Sequence, residues 1–418
     1  MTYDLTFPPT LRARIALPAS KSLSARALII AALAGDAAVE GLSDCDDTRV
    51  LRRALAERPD TVDVQAAGTA MRFATAYFAT QPGTRVLTGT PRMCQRPIRA
   101  LVEALRSLGA DIAYAGEEGF PPLRIAGRRL QGGRAELPAD ISSQYISALL
   151  LVAPTLAGGL ELRLRGEVAS RPYIDMTLGL MRHFGAEAGW AAPDTLRVMP
   201  RPYSRGGRYR VEPDWSAAAF WYEMVALSPD REARVELPGL QSHSLQGDSA
   251  AAELFRPLGV RTDFGTEGAV LTKAAPADGP AGADLTACPD LAQALVATCA
   301  LAGRPFRYSG LRSLRIKETD RIEALRTELG RTGAVLATDG EALWADAPAA
   351  ALHAPAAPFA TYDDHRMAMS LAPAALRLGR IGISQPEVVS KSYPAFWDDL
   401  RRAGVAVTPV AGRHPLIS

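Results

Sequence analysis

The sequence predicts a two-domain α/β protein assembled from repeated helix–strand units, and three observations carry that prediction. The chain has 418 residues, 48% of them hydrophobic and 22% charged. That is enough to bury large cores but too long for one ordinary domain, so two domains of roughly 200 residues are expected. A helix closed by a small-residue turn and followed by a short strand recurs at a spacing of about seventy residues. Composition breaks at MPRPYSRGGRYRVEPD (Met199 to Asp214), which reads as the domain crossing, and at KAAPADGPAGAD (Lys273 to Asp284), which reads as a surface loop.

The repeat appears as LVEALRSLGADIAY (Leu101 to Tyr114), LGLMRHFGAEA (Leu178 to Ala188), AAELFRPLGVRT (Ala251 to Thr262), LRTELGRTGAVL (Leu325 to Leu336) and DDLRRAGVAV (Asp398 to Val407). Each copy has apolar positions at helical period, a Gly where a left-handed residue closes the helix, and then the alternation of a strand. VLRRALAERPDTVDV (Val50 to Val64) reads as a degenerate sixth copy without the Gly. Six such units suggest three per domain.

A formal net charge of +2 provides no global basic field, so nucleic acid is not an expected partner and any anion must be held by Lys and Arg gathered locally. Cys45, Cys94, Cys288 and Cys299 are scattered without metal-ligand spacing, which fits a reduced cytoplasm rather than a zinc site or a disulfide framework. The N-terminal stretch lacks a secretory or transit pattern and reads as mature protein. The longest apolar stretch, Ile146 to Leu164, is cut by Pro154, Gly158 and Gly159, so no membrane span is expected.

Several helix starts carry the hydroxyls, glycine or cations that anion binding requires, because unpaired N–H groups and the helix dipole both favour negative charge there. In LPASKSLSARAL, Ser20 is placed to cap a helix that Lys21 and Ser22 open, with Ser22 and Arg26 four apart on one face. In AAGTAMRF, Gly68 permits close approach of the backbone and Thr69 adds a hydroxyl. Ser142, Ser143 and Gln144 begin another helix. Taken singly, each is an ordinary N-cap; their repetition in one chain points to anion binding. In LRIKETDRIEALRTEL, Lys317 and Arg321 stand at i, i+4 around Glu318, whose protonation neighbouring cations would tune. Alone, such a run reads as a solvated charged face. His365 and Arg366 open a further apolar helix, where the His reads as a structural hydrogen-bonding residue. Nucleotide-binding, zinc-protease and esterase signatures are missing from the sequence.

Taken together and in order, LPASKSLSARAL, DDTRVLRRAL, AAGTAMRF, LTGTPRMCQRPIRAL, SSQYISALLLVAP, SRPYIDMTL, VEPDWSAAAF, SLQGD, CPDLAQAL, RIKETDRIEAL, YDDHRMAM and SKSYPAFW resemble the 5-enolpyruvylshikimate-3-phosphate synthase family over nearly the whole chain. The resemblance implies the two-domain enolpyruvyl transferase fold. Each domain would be three βαβαββ repeats around a pseudo-threefold axis, an inside-out α/β barrel. One domain would be discontinuous, residues 1–20 with 212–418, the other 21–211, with the active site in the cleft between them. It also implies transfer of the enolpyruvyl group of phosphoenolpyruvate to the 5-hydroxyl of shikimate 3-phosphate, with no cofactor and no metal, by a cytoplasmic enzyme expected to be a monomer.

Carried over by position, Lys21, Ser22, Arg26, Ser142, Ser143, Gln144, Ser170 and Tyr173 match shikimate 3-phosphate contacts, and Asp290 and Lys317 match contacts to that substrate's hydroxyls. Lys21, Gly68, Arg96, Gln144, Arg321, Arg366 and Lys391 match the phosphoenolpyruvate site. Glu318 matches the proton-transfer carboxylate, Asp290 the group that takes the hydroxyl proton, and Lys21 and Lys391 competing proton donors. The chain departs from the family pattern at Ala19, where Gly is usual, at Ala66 (Asn), at Phe73 (often Pro) and at Ser313 (Asn or Glu). Phe73 and Ala66 bear on how glyphosate would bind. Two other readings stay open on residues alone. One is the sister UDP-N-acetylglucosamine enolpyruvyl transferase, whose reactive cysteine Cys94 nearly mimics. The other is a non-catalytic phosphometabolite-binding protein of the same fold.

Overall fold

The computed structural model describes residues 1–410 apart from Asp140, Ile141, Ala169 and Arg205. The chain divides into two compact units, Met1–Pro18 with Pro213–Ser418 and Ala19–Glu212. The crossings thus fall after residues 18 and 212, against expected crossings after 20 and 211.

Among the described residues, Ala19–Glu212 holds three sheets. In one, the strands lie in the order Thr61–Asp63, Gly83–Thr88, Leu123–Gly127, Asp111–Tyr114; the first pair is parallel and the rest antiparallel. Gly133–Pro138, Leu160–Arg165, Thr195–Val198 and Ala188–Ala192 repeat that order and polarity. Ala38–Glu40 pairs in parallel with Arg208–Arg210.

The discontinuous unit repeats the same four-stranded pattern twice. One copy is Arg12–Arg14, Arg234–Pro238, Gly268–Lys273, Val260–Gly265; the other is Ala281–Asp284, Phe306–Ser309, Leu343–Ala345, Ala337–Thr338. Its third sheet is antiparallel, Ile381–Ser384, Thr2–Thr6, Ala406–Val410. The tract read as a surface loop is therefore strand at both ends, Lys273 closing one and Ala281–Asp284 forming another, with the loop confined between them. Pairing with neighbouring strands overrides the loop-like composition.

The helix–glycine–strand junctions are as the residues predict. Gly109, Gly185, Gly259, Gly333 and Gly404 all take φ between +81° and +99°. The copy without a glycine closes its helix on Arg58 at φ +47°, a left-handed position that a non-glycine residue adopts at some cost in strain.

Helices that are apolar all round lie inside each unit, while helices with a polar stripe cover it. In Ala19–Glu212 the inner helices are Lys21–Ala34, Gly68–Thr80 and Ser143–Val152, which pack on one another. In the other unit they are Trp215–Leu227, Ala292–Leu301 and His365–Leu371, also mutually packed. All ten residues of Ala292–Leu301 are buried, as the run AQALVATCAL requires. By contrast Asp46–Glu57 and Arg99–Ser107 bury one stripe each. Each unit has its own continuous apolar core. Among the described residues, no helix is long and apolar enough to cross a membrane.

Candidate functional site

Most of the candidate residues stand at helix starts or in the turns beside them, and the two units carry separate clusters. In Ala19–Glu212, the Ser20 hydroxyl caps Lys21–Ala34 by accepting from the Leu23 N–H at 3.4 Å. Lys21, half-buried, sets its Nζ 3.3 Å from the Asp47 carboxylate, and Ser22 follows it. One turn on, Arg26 is buried, and its guanidinium ties three helices together. Nε donates to Thr177 Oγ1 at 2.7 Å, Nη1 to the Ser22 carbonyl at 2.9 Å, and Nη2 to Ser147 Oγ at 3.1 Å and the Tyr173 carbonyl at 3.4 Å. Burial pulls the Arg26 guanidinium down to about 10, opposed by the Tyr173 side chain.

Gly68 opens Gly68–Thr80 directly against Arg96. A Cβ at residue 68 would stand 2.6 Å from Arg96 Nη1, so only glycine leaves that guanidinium where it is. Arg72, one turn along, donates to the Gly68 carbonyl at 3.1 Å and the Pro97 carbonyl at 3.3 Å, locking the Arg96–Pro97 turn to the helix start. Gln144 Nε2 donates to Thr69 Oγ1 at 3.2 Å, and Ser142 caps the Gln144 N–H at 3.3 Å, with Ser143 between them. Ser170 sits in the left-handed region at φ +55° and does not use its hydroxyl to cap the Arg171–His183 helix. Strain of this kind, about 1–3 kcal/mol, collects at ligand sites. Tyr173 lies half-buried in that helix. Phe73 is buried, its ring centroid 5.4 Å from the Arg26 guanidinium carbon. Cys94 is half-buried, its Sγ 3.6 Å from the Gly89 carbonyl.

The discontinuous unit gathers Asp290, Lys317, Glu318, Arg321, Arg366 and Lys391 into one network. Arg321 Nε and Nη2 donate to Asp364 at 2.7 and 3.2 Å, Nη2 also reaches Glu318 Oε2 at 3.0 Å, and Nη1 reaches Asp290 Oδ1 at 3.4 Å. Lys391 Nζ lies 2.9 Å from Glu318 Oε1, so that carboxylate is held from both sides. Arg366 donates to Asp290 Oδ2 at 2.9 Å and to its carbonyl at 3.1 Å, while Lys317 Nζ stands 3.8 Å from Oδ1. Side-chain exposure rises from 0% at Asp364 through 14% at Glu318 to 25% at Lys317, so the network opens to solvent on the Lys317 side. Burial opposes the Arg321 charge, but Asp364, Glu318 and Asp290 overcome it and hold the guanidinium above its ordinary value.

The expected i, i+4 placement of Lys317 and Arg321 on one helix does not occur. The helix starts at Arg321, capped by Asp320, which accepts from the Ile322 and Glu323 N–H groups at 3.2 Å each. A 3-10 segment, Arg312–Ile316, precedes it, and Lys317 is extended. Asp320 is a stronger helix start than a continued charged run, and Lys317 reaches the network through Asp290 instead. Sequence reasoning missed Asp364, Asp47, Arg72, Ser147 and Thr177. Asp364 carried a local signal, since it caps His365–Leu371 by accepting from the Arg366 N–H at 2.9 Å. Its pairing with Arg321 had none.

A family model described as EPSP synthase (3-phosphoshikimate 1-carboxyvinyltransferase) matches residues 51–400. A curated 3-phosphoshikimate 1-carboxyvinyltransferase from Bacteroides fragilis is 52% identical over 410 residues, covering 97% of this chain and 99% of that protein. One of the same name from Shewanella halifaxensis is 35% identical over 413 residues, covering 92% and 95%. The solved EPSP synthase from Acinetobacter baumannii superposes with a TM-score of 0.76 over 98% of this chain and all of that one, at 22% identity. The enolpyruvyl transferase NikO from Streptomyces tendae superposes at 0.73 and 18% identity, covering 98% and 99%. These two likenesses are of fold, and the fold is the mixed α/β enolpyruvyl transferase architecture. By the family match and by identity over nearly its full length, this chain belongs to the EPSP synthase family.

Proposed function

We propose that this protein transfers the enolpyruvyl group of phosphoenolpyruvate to the 5-hydroxyl of shikimate 3-phosphate and releases inorganic phosphate, the shikimate-pathway step that leads toward chorismate. Both substrates carry a phosphate and a carboxylate, so their approach is repulsive unless cations surround them. Lys21, Arg26 and Arg96 lie in Ala19–Glu212, and Lys317, Arg321, Arg366 and Lys391 lie in the discontinuous unit; each set offers cations to such anions. Ser22, Ser142, Ser143, Gln144, Ser170 and Tyr173 hold the phosphorylated ring, and Gly68 lets phosphoenolpyruvate approach the helix start beside Arg96.

The observation that carries the reading is Glu318 suspended between Arg321 and Lys391 at 3.0 and 2.9 Å. Two cations keep this carboxylate ionised at rest. An arriving anion competes for the same cations, which raises the affinity of Glu318 for a proton. Glu318 then protonates the methylene carbon of phosphoenolpyruvate; Lys391, 2.9 Å from it, and Lys21 are the competing donors. Protonation makes the adjacent carbon electrophilic, and the 5-hydroxyl attacks it as Asp290 takes the hydroxyl proton. In the tetrahedral adduct, Glu318 reclaims a methyl proton, the carbon–oxygen bond to phosphate breaks and the enol ether forms. The enzyme acts in the cytoplasm as a monomer in this reading.

Phosphate release from phosphoenolpyruvate tests it. Release should require shikimate 3-phosphate and be unmoved by UDP-N-acetylglucosamine. Release with the UDP-sugar instead would transfer the chain to the sister activity, and no release with either would leave a binding protein.

A further inference from the structure

The helix Arg321–Gly330 grips one distant segment from both of its ends. In its first turn Arg321 pairs with Asp364. In its last turn Glu328, 2% exposed, accepts three hydrogen bonds: Oε1 from the Tyr362 hydroxyl at 2.8 Å, and Oε2 from the Ala360 N–H at 3.1 Å and from Arg331 Nη1. Arg331 lengthens the grip by donating to the Ala357 and Pro358 carbonyls at 2.5 and 3.1 Å. Residues 357–364 are thus tied along one helix, the same helix that presents Arg321 to Glu318.

What the grip holds is a strained turn. Tyr362 and Asp363 are successive non-glycine residues in the left-handed region, at φ +55° and +53°. Such a pair persists only where its surroundings over-determine it. Beside Glu328, the second support is Gln385, whose Nε2 donates to Asp363 Oδ1 at 3.1 Å and whose Oε1 accepts from the Thr361 hydroxyl at 3.4 Å. The Asp364 N–H then closes the turn on the Thr361 carbonyl at 2.9 Å. The residues that follow are the ones the site uses. Asp364 holds Arg321 and caps His365–Leu371, and Arg366 reaches Asp290 Oδ2 at 2.9 Å. Relaxation at residues 362 and 363 rotates the backbone just ahead of Asp364, and so carries the helix start and Arg366 with it. We propose that Glu328 is a positioning residue for enolpyruvyl transfer: by bonding Tyr362 and Ala360 it holds the strained turn in the shape that delivers Asp364 and Arg366 to the site. The proposal rests on the assignment of Arg366 to phosphoenolpyruvate.

The test is steady-state kinetics in both substrates, with Tm alongside, for wild type, Tyr362→Phe, Glu328→Gln, Asp363→Gly, the double variant Glu328→Gln with Asp363→Gly, and Arg366→Ala. Tyr362→Phe removes one hydroxyl and leaves Glu328 paired with Arg331, so it reports even where Glu328→Gln folds poorly. KM for phosphoenolpyruvate should rise about threefold in Tyr362→Phe and about tenfold in Glu328→Gln, while KM for shikimate 3-phosphate stays within about twofold. Glycine adopts φ +53° without steric cost, so the double variant should recover most of the loss seen in Glu328→Gln. A lowered Tm with an unmoved KM for phosphoenolpyruvate makes Glu328 a stabilising residue only and overturns the proposal. So does a double variant that recovers nothing, because the strained turn is then not what Glu328 holds. An unchanged KM for phosphoenolpyruvate in Arg366→Ala removes the Arg366 assignment itself, whatever the Glu328 variants do, and the role of Glu328 falls with it.

Discussion

Arg321 and Asp364 meet through two hydrogen bonds, Nε to Oδ2 at 2.7 Å and Nη2 to Oδ1 at 3.2 Å, with both side chains at or below 2% exposure. Asp364 also caps the helix that presents Arg366. It therefore fixes two cations at once, one by pairing and one through the backbone. Removing one member of a buried ion pair costs about 3–5 kcal/mol. In a unit of this size that corresponds to a fall of roughly 10 °C in Tm. Asp364→Ala should show such a fall in scanning calorimetry, and a midpoint within about 2 °C of wild type would remove Asp364 as the organiser of the network.

Glu318→Gln keeps the shape of the side chain and loses its ability to exchange a proton. Turnover should fall by about two to four orders of magnitude. Because Arg321 and Lys391 lose a competing carboxylate, KM for phosphoenolpyruvate should stay level or drop. Steady-state kinetics that gave a raised KM with normal kcat would move Glu318 from proton transfer to binding.

Gly68→Ala forces a methyl group to within 2.6 Å of Arg96 Nη1. The atom that must yield is the end of a flexible side chain, so the fold should survive with Tm within about 3 °C. The displaced guanidinium should raise KM for phosphoenolpyruvate about tenfold or more while KM for shikimate 3-phosphate moves little. Equal weakening of both substrates would place Arg96 elsewhere in the reaction.

Glu223 is fully buried in the inner helix Trp215–Leu227, and neither carboxylate oxygen has a hydrogen-bond partner among the described residues. Burial pushes its carboxyl well above the ordinary glutamate range. A folded-state value above the unfolded one means that the native state binds the proton more tightly. The stabilisation is therefore complete below the unfolded value, near pH 4.3, and is lost as pH rises toward the folded value, by up to about 1.4 kcal/mol per pH unit. Denaturant titrations between pH 5 and 8 should show wild type losing stability relative to Glu223→Gln as pH increases. Parallel curves would mean that the group is already ionised or solvated.

Much of the candidate site could be read locally. A cap, a glycine turn or an apolar run is decided by residues within about four positions, and Ser20, Gly68 and the five junction glycines announce their roles in that way. Their order along the chain also carries the family, since each motif names a helix start and the starts are where the cations and hydroxyls stand. The i, i+4 reading of Lys317 and Arg321 failed at the same scale, because a cap at Asp320 broke the helix that the reading assumed.

What the amino-acid sequence by itself determined, then, is the recurring helix–glycine–strand junction, several of the helix starts, and the family to which they belong. Tertiary structure alone decided which charges meet. Arg321 finds Asp364 across 43 residues, Arg366 finds Asp290 across 76, and Arg26 finds Thr177 across 151. Local preference fixes the backbone around a residue. The partner of a buried charge is set by how distant helix starts pack, and so is the proton affinity of Glu223, because both depend on water being excluded by chain from elsewhere.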